Sequence, residues 1–282
     1  MAVIDGKKIA AEIRTELKAE VEELTGEGRA PGLSVIMVGQ DSASRTYVNM
    51  KKKVAKNLGI KSDVYVMEED IPEAELFDLI DNLNNDKTVD GILVQLPLPD
   101  HINPDQVIET VEPDKDVDGF HPLNSGRLFN GQKEGLRFEP CTPLGIMELI
   151  ERHTEIDGAR AVVVGRSNIV GKPVFKLLLD QNATVTICHS HTKDLEAETL
   201  KGDILVVAAG YPRLVNGDMV KEGATVIDVG VNRVNGELVG DVDFESAKKK
   251  AAYITPVPGG VGPMTITMLM KNTIKARRYH GA

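Results

Sequence analysis

Apolar positions recur along this chain with two alternating periods. From Gly6 to Leu24, residues Ile9, Ile13, Leu17, Val21 and Leu24 share one face of a helical wheel, and Gly26, Gly28 and Pro31 end the pattern. Leu33 to Val38 is a continuous apolar run closed by Gly39, as in a strand buried on both faces. The pattern then predicts a helix over Ser42–Leu58, a strand over Lys61–Val66, a helix over Glu73–Leu83, and a strand from Gly91 that runs into Pro97 and Pro99. A short helix precedes Pro113. Residues 123–139 read as an irregular crossing between domains. Thr142 as cap and Pro143 in the first turn open a further helix through Ile150. The second half repeats the alternation, with strands Ala161–Val164, Ala183–Cys188, Asp203–Ala209 and Ala224–Val229, and helices Val174–Leu179 and Ile266–Lys275. Strands alternating with helices predict α/β architecture with parallel sheets.

Helix 42–58 holds the first candidate for chemistry. On a wheel, Ala43, Tyr47, Met50, Val54 and Leu58 form a narrow apolar stripe. Lys51 lies inside the wider arc completed by Val48 and Ala55, whereas Lys52 and Lys53 point to the opposite side. Tyr47 and Lys51 are one turn apart, so they are neighbours on the helix surface. A lysine drawn toward an apolar environment loses part of its preference for charge and becomes useful for proton transfer. A lysine that snorkels from the boundary fits the same pattern. Gln95 is an amide at the carboxyl end of an apolar strand, where open α/β sheets place ligand sites; a loop-bonding amide fits equally.

Composition narrows the class. The chain has 282 residues, 41% hydrophobic and 27% charged, without tryptophan, so aliphatic residues build the core. A net charge of −10 argues against nucleic acid and membrane surfaces as partners. Cys141 and Cys188 are the only cysteines, which is no disulfide framework and predicts an intracellular, cytoplasmic protein. Neither a leader pattern nor an apolar run of membrane-spanning length stands out.

The stretch after Val164 reads Gly165-Arg166-Ser167-Asn168-Ile169-Val170-Gly171, a glycine turn between strand and helix. That layout suits a dinucleotide, although the spacing departs from the common fingerprint. The next strand ends at Cys188-His189-Ser190-His191 without the acid that would hold a ribose 2′-hydroxyl. Arg166, His189 and Ser190 suit a 2′-phosphate instead, which favours NADP over NAD. His189 and His191 form a weak metal pattern, and no metal is assigned. Pro256 to Thr265 combines three glycines and three prolines before a helix, a path that suits close approach to a flat ligand or a rigid turn.

Taken together, the motifs resemble the bifunctional methylenetetrahydrofolate dehydrogenase/cyclohydrolase family. They are Ala43-Ser44 with Tyr47-Val48 and Lys51, Asp90 to Pro99, Asp114 to Pro122, the Gly165 to Gly171 turn, Ile227 to Gly230, Gly240 to Phe244, and Pro256 to Thr265. The resemblance covers nearly the whole chain. It implies a three-layer α/β folate domain over residues 1–120 and a Rossmann-type NADP domain over 121–265, with a cleft between them and helix 266–282 packing back on the folate domain. It further implies NADP-dependent oxidation of 5,10-methylenetetrahydrofolate and hydrolysis of the methenyl product to 10-formyltetrahydrofolate. By resemblance Lys51 is the main catalytic residue, assisted by Tyr47 and Gln95. Asp118 holds the pterin, Val94 and Leu96 line its pocket, and Pro258, Gly259, Gly260, Gly262, Pro263 and Thr265 complete it. Gly165, Arg166, Ser167, Ile169, Ser190 and Val231, together with His189, are the expected NADP contacts. A homodimer formed through the NADP domains is likewise expected.

Overall fold

The computed structural model describes residues 2–132 and 135–281, the side chains of Ser42 and Ala43 excepted. A short strand β1 (Ala2–Val3) and helix α1 (Gly6–Gly26) open the chain. Then come β2 (Gly32–Val38), α2 (Ser42–Leu58), β3 (Lys61–Met67), α3 (Glu73–Asn85), β4 (Gly91–Val94), α4 (Pro104–Thr110) and α5 (Pro122–Phe129). The second half holds α6 (Cys141–Glu151), β5 (Arg160–Val164), α7 (Gly171–Asp180), β6 (Thr184–Cys188), α8 (Leu195–Thr199), β7 (Ile204–Val207) and β8 (Thr225–Asp228). A hairpin of β9 (Asn232–Val234) and β10 (Glu237–Val239) follows, then α9 (Phe244–Ala247), β11 (Tyr253–Ile254) and α10 (Val261–His280).

The chain forms two compact units. One comprises residues 12–141 and 266–282, the other residues 1–11 and 142–265. The first carries a parallel three-stranded sheet in the order β3-β2-β4. The chain leaves β2 toward β3 and then returns across it to β4, so the connections diverge at the carboxyl ends of β2 and β4. Such a switch point opens a crevice for ligands. Ile36, Val38, Leu76, Ile80, Ile92 and Val107 form the core between this sheet and its helices. The second unit carries a six-stranded sheet in the order β1-β11-β8-β7-β5-β6, all pairings parallel. Its connections diverge between β5 and β7. Val162, Val164, Leu205, Val207 and Val226 fill its core.

Several expectations shift. Residues 123–139 are not wholly irregular: α5 begins at Pro122 because the His121 ring accepts a hydrogen bond from Leu123 N and proline suits the first helical position. The last helix starts at Val261 rather than Ile266, since Gly262 and Pro263 fit a first turn whose N–H groups need no helical partner. The division expected at residue 120 moves to 141. Asn124 bonds the Asp116 carboxylate at 2.9 Å and the Pro113 carbonyl at 2.8 Å, which ties residues 121–141 to the first unit. Residues 1–11 join the second unit because β1 adds to β11.

Residues 266–282 belong to the first unit. Arg14 donates to Thr267 Oγ1 at 2.8 Å, and Arg278 pairs with Glu20 and Glu23. The Asp90 carboxylate, with no exposure, accepts two bonds from Arg29, one from Gly32 N and one from the His280 ring. Its pKa is lowered: these bonds and the Arg29 charge outweigh burial, the largest single influence, which pushes the other way. Asp90→Ala leaves those donors facing a void. It should lower unfolding stability by about 2–4 kcal/mol, read as a drop in the urea midpoint with an unchanged slope.

Candidate active site

Helix α2 has a cap at each end. Asp41 accepts from Ser44 N at 2.7 Å, and Gly59 adopts a left-handed φ of 84°. Its buried face is set by Ser44, Val48, Lys51, Ala55 and Leu58, spaced alternately by four and three residues. The expected stripe through Tyr47, Met50 and Val54 is therefore rotated. Met50 is 41% exposed, whereas Lys51 is 7% exposed and lies near the centre of the face. Small Ala55 and slim Val48 permit close packing on the sheet, and the larger Met50 is turned outward. Lys52 and Lys53 are exposed, and the Ala43 side chain lies outside the described residues.

The Lys51 amine donates to Gln95 Oε1 at 2.9 Å. Gln95 follows β4 directly, and its backbone N–H still bonds Ile36 O at 2.8 Å. Its side-chain N–H₂ bonds the Leu96 carbonyl at 2.7 Å, which fixes the amide with oxygen toward the lysine. Burial pushes the Lys51 pKa below its ordinary value, and the charge of Asp118 partly restores it. Tyr47 is half-buried one turn earlier, and burial raises its hydroxyl pKa.

Asp118 arrives alongside β4. Ile92 bridges Asp116 in parallel and bonds Lys115 O at 2.8 Å, and the turn that follows, closed by Gly119 N on Asp116 O at 3.0 Å, carries Asp118. Asp118, Val94, Leu96, Ile108 and Phe120 line one small cavity. Burial raises the Asp118 pKa, while the Lys51 charge lowers it. Each group thus favours the charged form of the other, and desolvation opposes both. Three residues that sequence reasoning missed fix this loop. Asp116 accepts from Gly119 N, Phe120 N and His121 N at 2.8–3.1 Å, and Cys141 Sγ and Asn272 Nδ2 hold the Val117 carbonyl at 3.2 and 2.9 Å. Asp116 lies inside the quoted Asp114–Pro122 motif, but Cys141 and Asn272 are distant in sequence and carry no local signal. The Cys141 thiol, pushed well above its ordinary pKa by burial, is unsuited to nucleophilic work.

The second unit offers a nucleotide cradle. Gly165 has φ 131°, and a Cβ there would lie 2.2 Å from Ala208 O, so the turn after β5 packs on the loop after β7. Ser167 Oγ accepts from Val170 N and Gly171 N at the start of α7. Val164 pairs with Cys188 in the sheet, so Arg166 and Ser190 emerge two residues beyond neighbouring strand ends, both exposed. His189 is half-buried and uses Nδ1 to accept from His191 N at 3.1 Å. Ile169 and Val231 are 43% and 57% exposed. A cradle of this shape, with a cation and hydroxyl but no acid at the end of β6, fits a phosphorylated dinucleotide. Pro258, Gly259, Gly260, Gly262, Pro263 and Thr265 also belong to this unit, where Lys7 N bonds Gly259 O at 3.2 Å and Thr142 Oγ1 meets Thr265 Oγ1 at 2.9 Å. Among the described residues, no three His, Cys, Asp or Glu side chains gather as a metal site.

A family model described as tetrahydrofolate dehydrogenase/cyclohydrolase, catalytic domain, matches residues 4–118, and its NAD(P)-binding companion matches residues 140–281. A curated relative called bifunctional protein FolD, from Halothermothrix orenii, is 68% identical over 99% of each chain. The structure of a bifunctional methylenetetrahydrofolate dehydrogenase/cyclohydrolase from Campylobacter jejuni aligns with TM-score 0.96, 51% identity and 99% coverage of each chain. A Trypanosoma brucei dehydrogenase–cyclohydrolase complexed with NADP and an inhibitor aligns with TM-score 0.93 at 42% identity, over 98% of this chain and 97% of that one.

The Lys51 amine should titrate below the usual lysine range. In NMR of protein carrying ¹³C-methylated lysines, a resonance absent from Lys51→Arg is expected to shift at a lower pH than those of exposed lysines such as Lys52 and Lys53. A Lys51 signal titrating with the bulk lysines would contradict the desolvated amine.

Proposed function

The chain belongs to the tetrahydrofolate dehydrogenase/cyclohydrolase family, and from that premise we propose how its residues divide the work. The enzyme oxidises 5,10-methylenetetrahydrofolate with NADP and hydrolyses the resulting 5,10-methenyltetrahydrofolate to 10-formyltetrahydrofolate. The observation that carries the division of labour is the buried Lys51 amine held on Gln95 Oε1 at 2.9 Å.

NADP, when bound, supplies the hydride acceptor. Gly165, Arg166, Ser167, Ile169, His189, Ser190 and Val231 would hold it, the Arg166 guanidinium and Ser190 hydroxyl being the groups suited to its 2′-phosphate. Oxidation leaves the folate one-carbon bridge as a cation shared between two nitrogens. A permanent ammonium beside it would oppose that charge, so a lysine whose charged form is disfavoured by burial suits the site. In hydrolysis, the water oxygen bonds the methenyl carbon while the Lys51 amine takes a proton from that water. The carbon–N5 bond then breaks with its electron pair on N5, and N5 takes up a proton as the hydroxyl on the carbon gives one up. The carbon becomes the formyl carbonyl on N10, and Lys51 releases its proton to solvent. Gln95 accepts from the amine without adding charge and aims its lone pair. Tyr47 packs beside the reacting carbon. Asp118, between Val94 and Leu96 in the cavity, accepts paired N–H bonds from the pterin edge.

The residues from Pro258 to Thr265 are assigned to substrate on the strength of the family resemblance. The same reasoning supports a homodimer formed through the nucleotide unit and a cytoplasmic location. Among the described residues no helix is long and apolar enough to cross a membrane. Light scattering on the purified chain should return twice the monomer mass.

Lys51→Met should slow methenyl hydrolysis by roughly 10²–10⁴-fold, the usual weight of a positioned base, while NADP still binds. Hydrolysis at the wild-type rate would remove Lys51 from the mechanism. Arg166→Ala should weaken NADP about tenfold or more, as expected for loss of a charge-assisted bond, and weaken NAD far less. Equal losses for the two dinucleotides would count against recognition of the 2′-phosphate.

A further inference from the structure

The nucleotide unit contains two buried carboxylates to which the proposed chemistry gives no role. Asp228 ends β8 and is 3% exposed, and Asp241 follows the hairpin and has no exposure. No ion pair joins either to a cation among the described residues; backbone amides and the Asn232 side-chain amide solvate them instead. Asp228 Oδ1 accepts from Gly230 N at 3.0 Å and from Asp241 N at 2.9 Å, and its Oδ2 accepts from Val242 N at 3.0 Å. Asp241 Oδ2 accepts from Ala209 N at 2.7 Å and Gly210 N at 2.8 Å, and its Oδ1 accepts from Asn232 Nδ2 at 2.8 Å. The packing leaves no room for change. A Cβ on Gly230 would lie 2.3 Å from Asp241 Oδ1, and one on Gly240 would lie 1.8 Å from Asp228 Oδ2.

The bonded segments are not scattered. Ala209 and Gly210 form the loop after β7, and Val229 to Val231 form the connection after β8 that leads into Asn232, the first residue of β9. Ala208, one residue before the bonded amides, is the group on which Gly165 packs. The two carboxylates therefore fix, through backbone bonds, loops that border the crevice where the sheet connections diverge. Nearly complete burial of two anions is costly unless each oxygen is fully bonded, so the arrangement tolerates little displacement of these loops.

We propose that Asp241, seated by Asp228, is a positioning residue for the dinucleotide: its carboxylate sets the 208–210 loop and the start of β9, next to Val231, against the Gly165 turn. This inference rests on the NADP reading of the same crevice.

The test measures NADP binding by isothermal titration calorimetry on the full chain. Asp241→Asn keeps one oxygen for Ala209 and Gly210 but turns an amide N–H₂ toward the Asn232 amide. NADP Kd should rise about tenfold, the scale of one mispaired buried bond. The exchanged pair Asp241→Asn with Asn232→Asp restores that bond with its polarity reversed and should recover part of the loss. If Asp241→Asn does not fold, Asn232→Ala decides, with an expected rise in Kd of about threefold to fivefold from the lost turn anchor. A Kd within twofold of wild type in the folded variant, or no recovery in the exchanged pair, overturns the proposal. Wild-type protein that hydrolyses the methenyl compound yet fails to bind NADP would instead overturn the cofactor reading itself.

Discussion

The burial of one amine governs the catalytic unit. Lys51 sits where a helix meeting a sheet would ordinarily place an aliphatic side chain, and removing an ammonium from water is costly. The structure offsets that cost in two ways. Gln95 Oε1 accepts an N–H at 2.9 Å, and the nearby Asp118 carboxylate favours the charged amine. Neither compensation is complete, since burial remains the largest influence and the pKa stays lowered. The preference of the amine for its charged form is thereby weakened, as a base beside a cationic folate requires.

Other features follow from the need to hold Gln95 and Asp118 at fixed distances from that amine. Gln95 leaves the sheet one residue after β4 and is locked by its own bond to Leu96 O. Asp118 is carried on a segment that pairs beside β4, and its turn is pinned by the Asp116 carboxylate on three successive backbone amides. Asn272, from the far end of the chain, holds the carbonyl just before Asp118. The nucleotide unit solves a similar problem with Asp228 and Asp241, where buried carboxylates again organise loops at the carboxyl ends of parallel strands. Both units use a buried carboxyl group inside a nest of N–H groups as a fixed point for an otherwise irregular backbone.

Much of this was legible before the coordinates. Long runs such as Leu33–Val38 and Ala161–Val164 are buried on both faces, so their apolar character leaves little choice of structure. Gly165 marked a turn between strand and helix, and Lys51 separated from Lys52 and Lys53 by angle alone. The illegible parts have physical causes. β1 and β11 contain only two residues each, too few for any period, and pair across some 250 positions of sequence. Met50 looked as suitable for the core as Val48, because a wheel gives the width of an apolar arc but not which edge the sheet will press. Gly262 and Pro263 discouraged a helix that in fact begins at Val261, since residues poor in a helix interior are well tolerated in its first turn. Asp116 stands in a stretch dense in charge, Gly and Pro that reads as a structured loop, and only tertiary structure shows its carboxylate turned inward. The roles of Cys141 and Asn272 depend on contacts between distant segments, which no local pattern encodes.

The central claim is that desolvation, tempered by Gln95 and Asp118, keeps the Lys51 amine available as a base. Its most direct test is the pH profile of methenyltetrahydrofolate hydrolysis by the wild-type enzyme, corrected for the spontaneous reaction. The enzymatic rate should rise with pH along a single limb whose midpoint lies below the ordinary lysine value of 10.5. Because the Asp118 charge supports the ammonium, Asp118→Asn should move that midpoint lower still. A profile with no such limb, or one centred at the ordinary lysine value and unmoved by Asp118→Asn, would contradict the account.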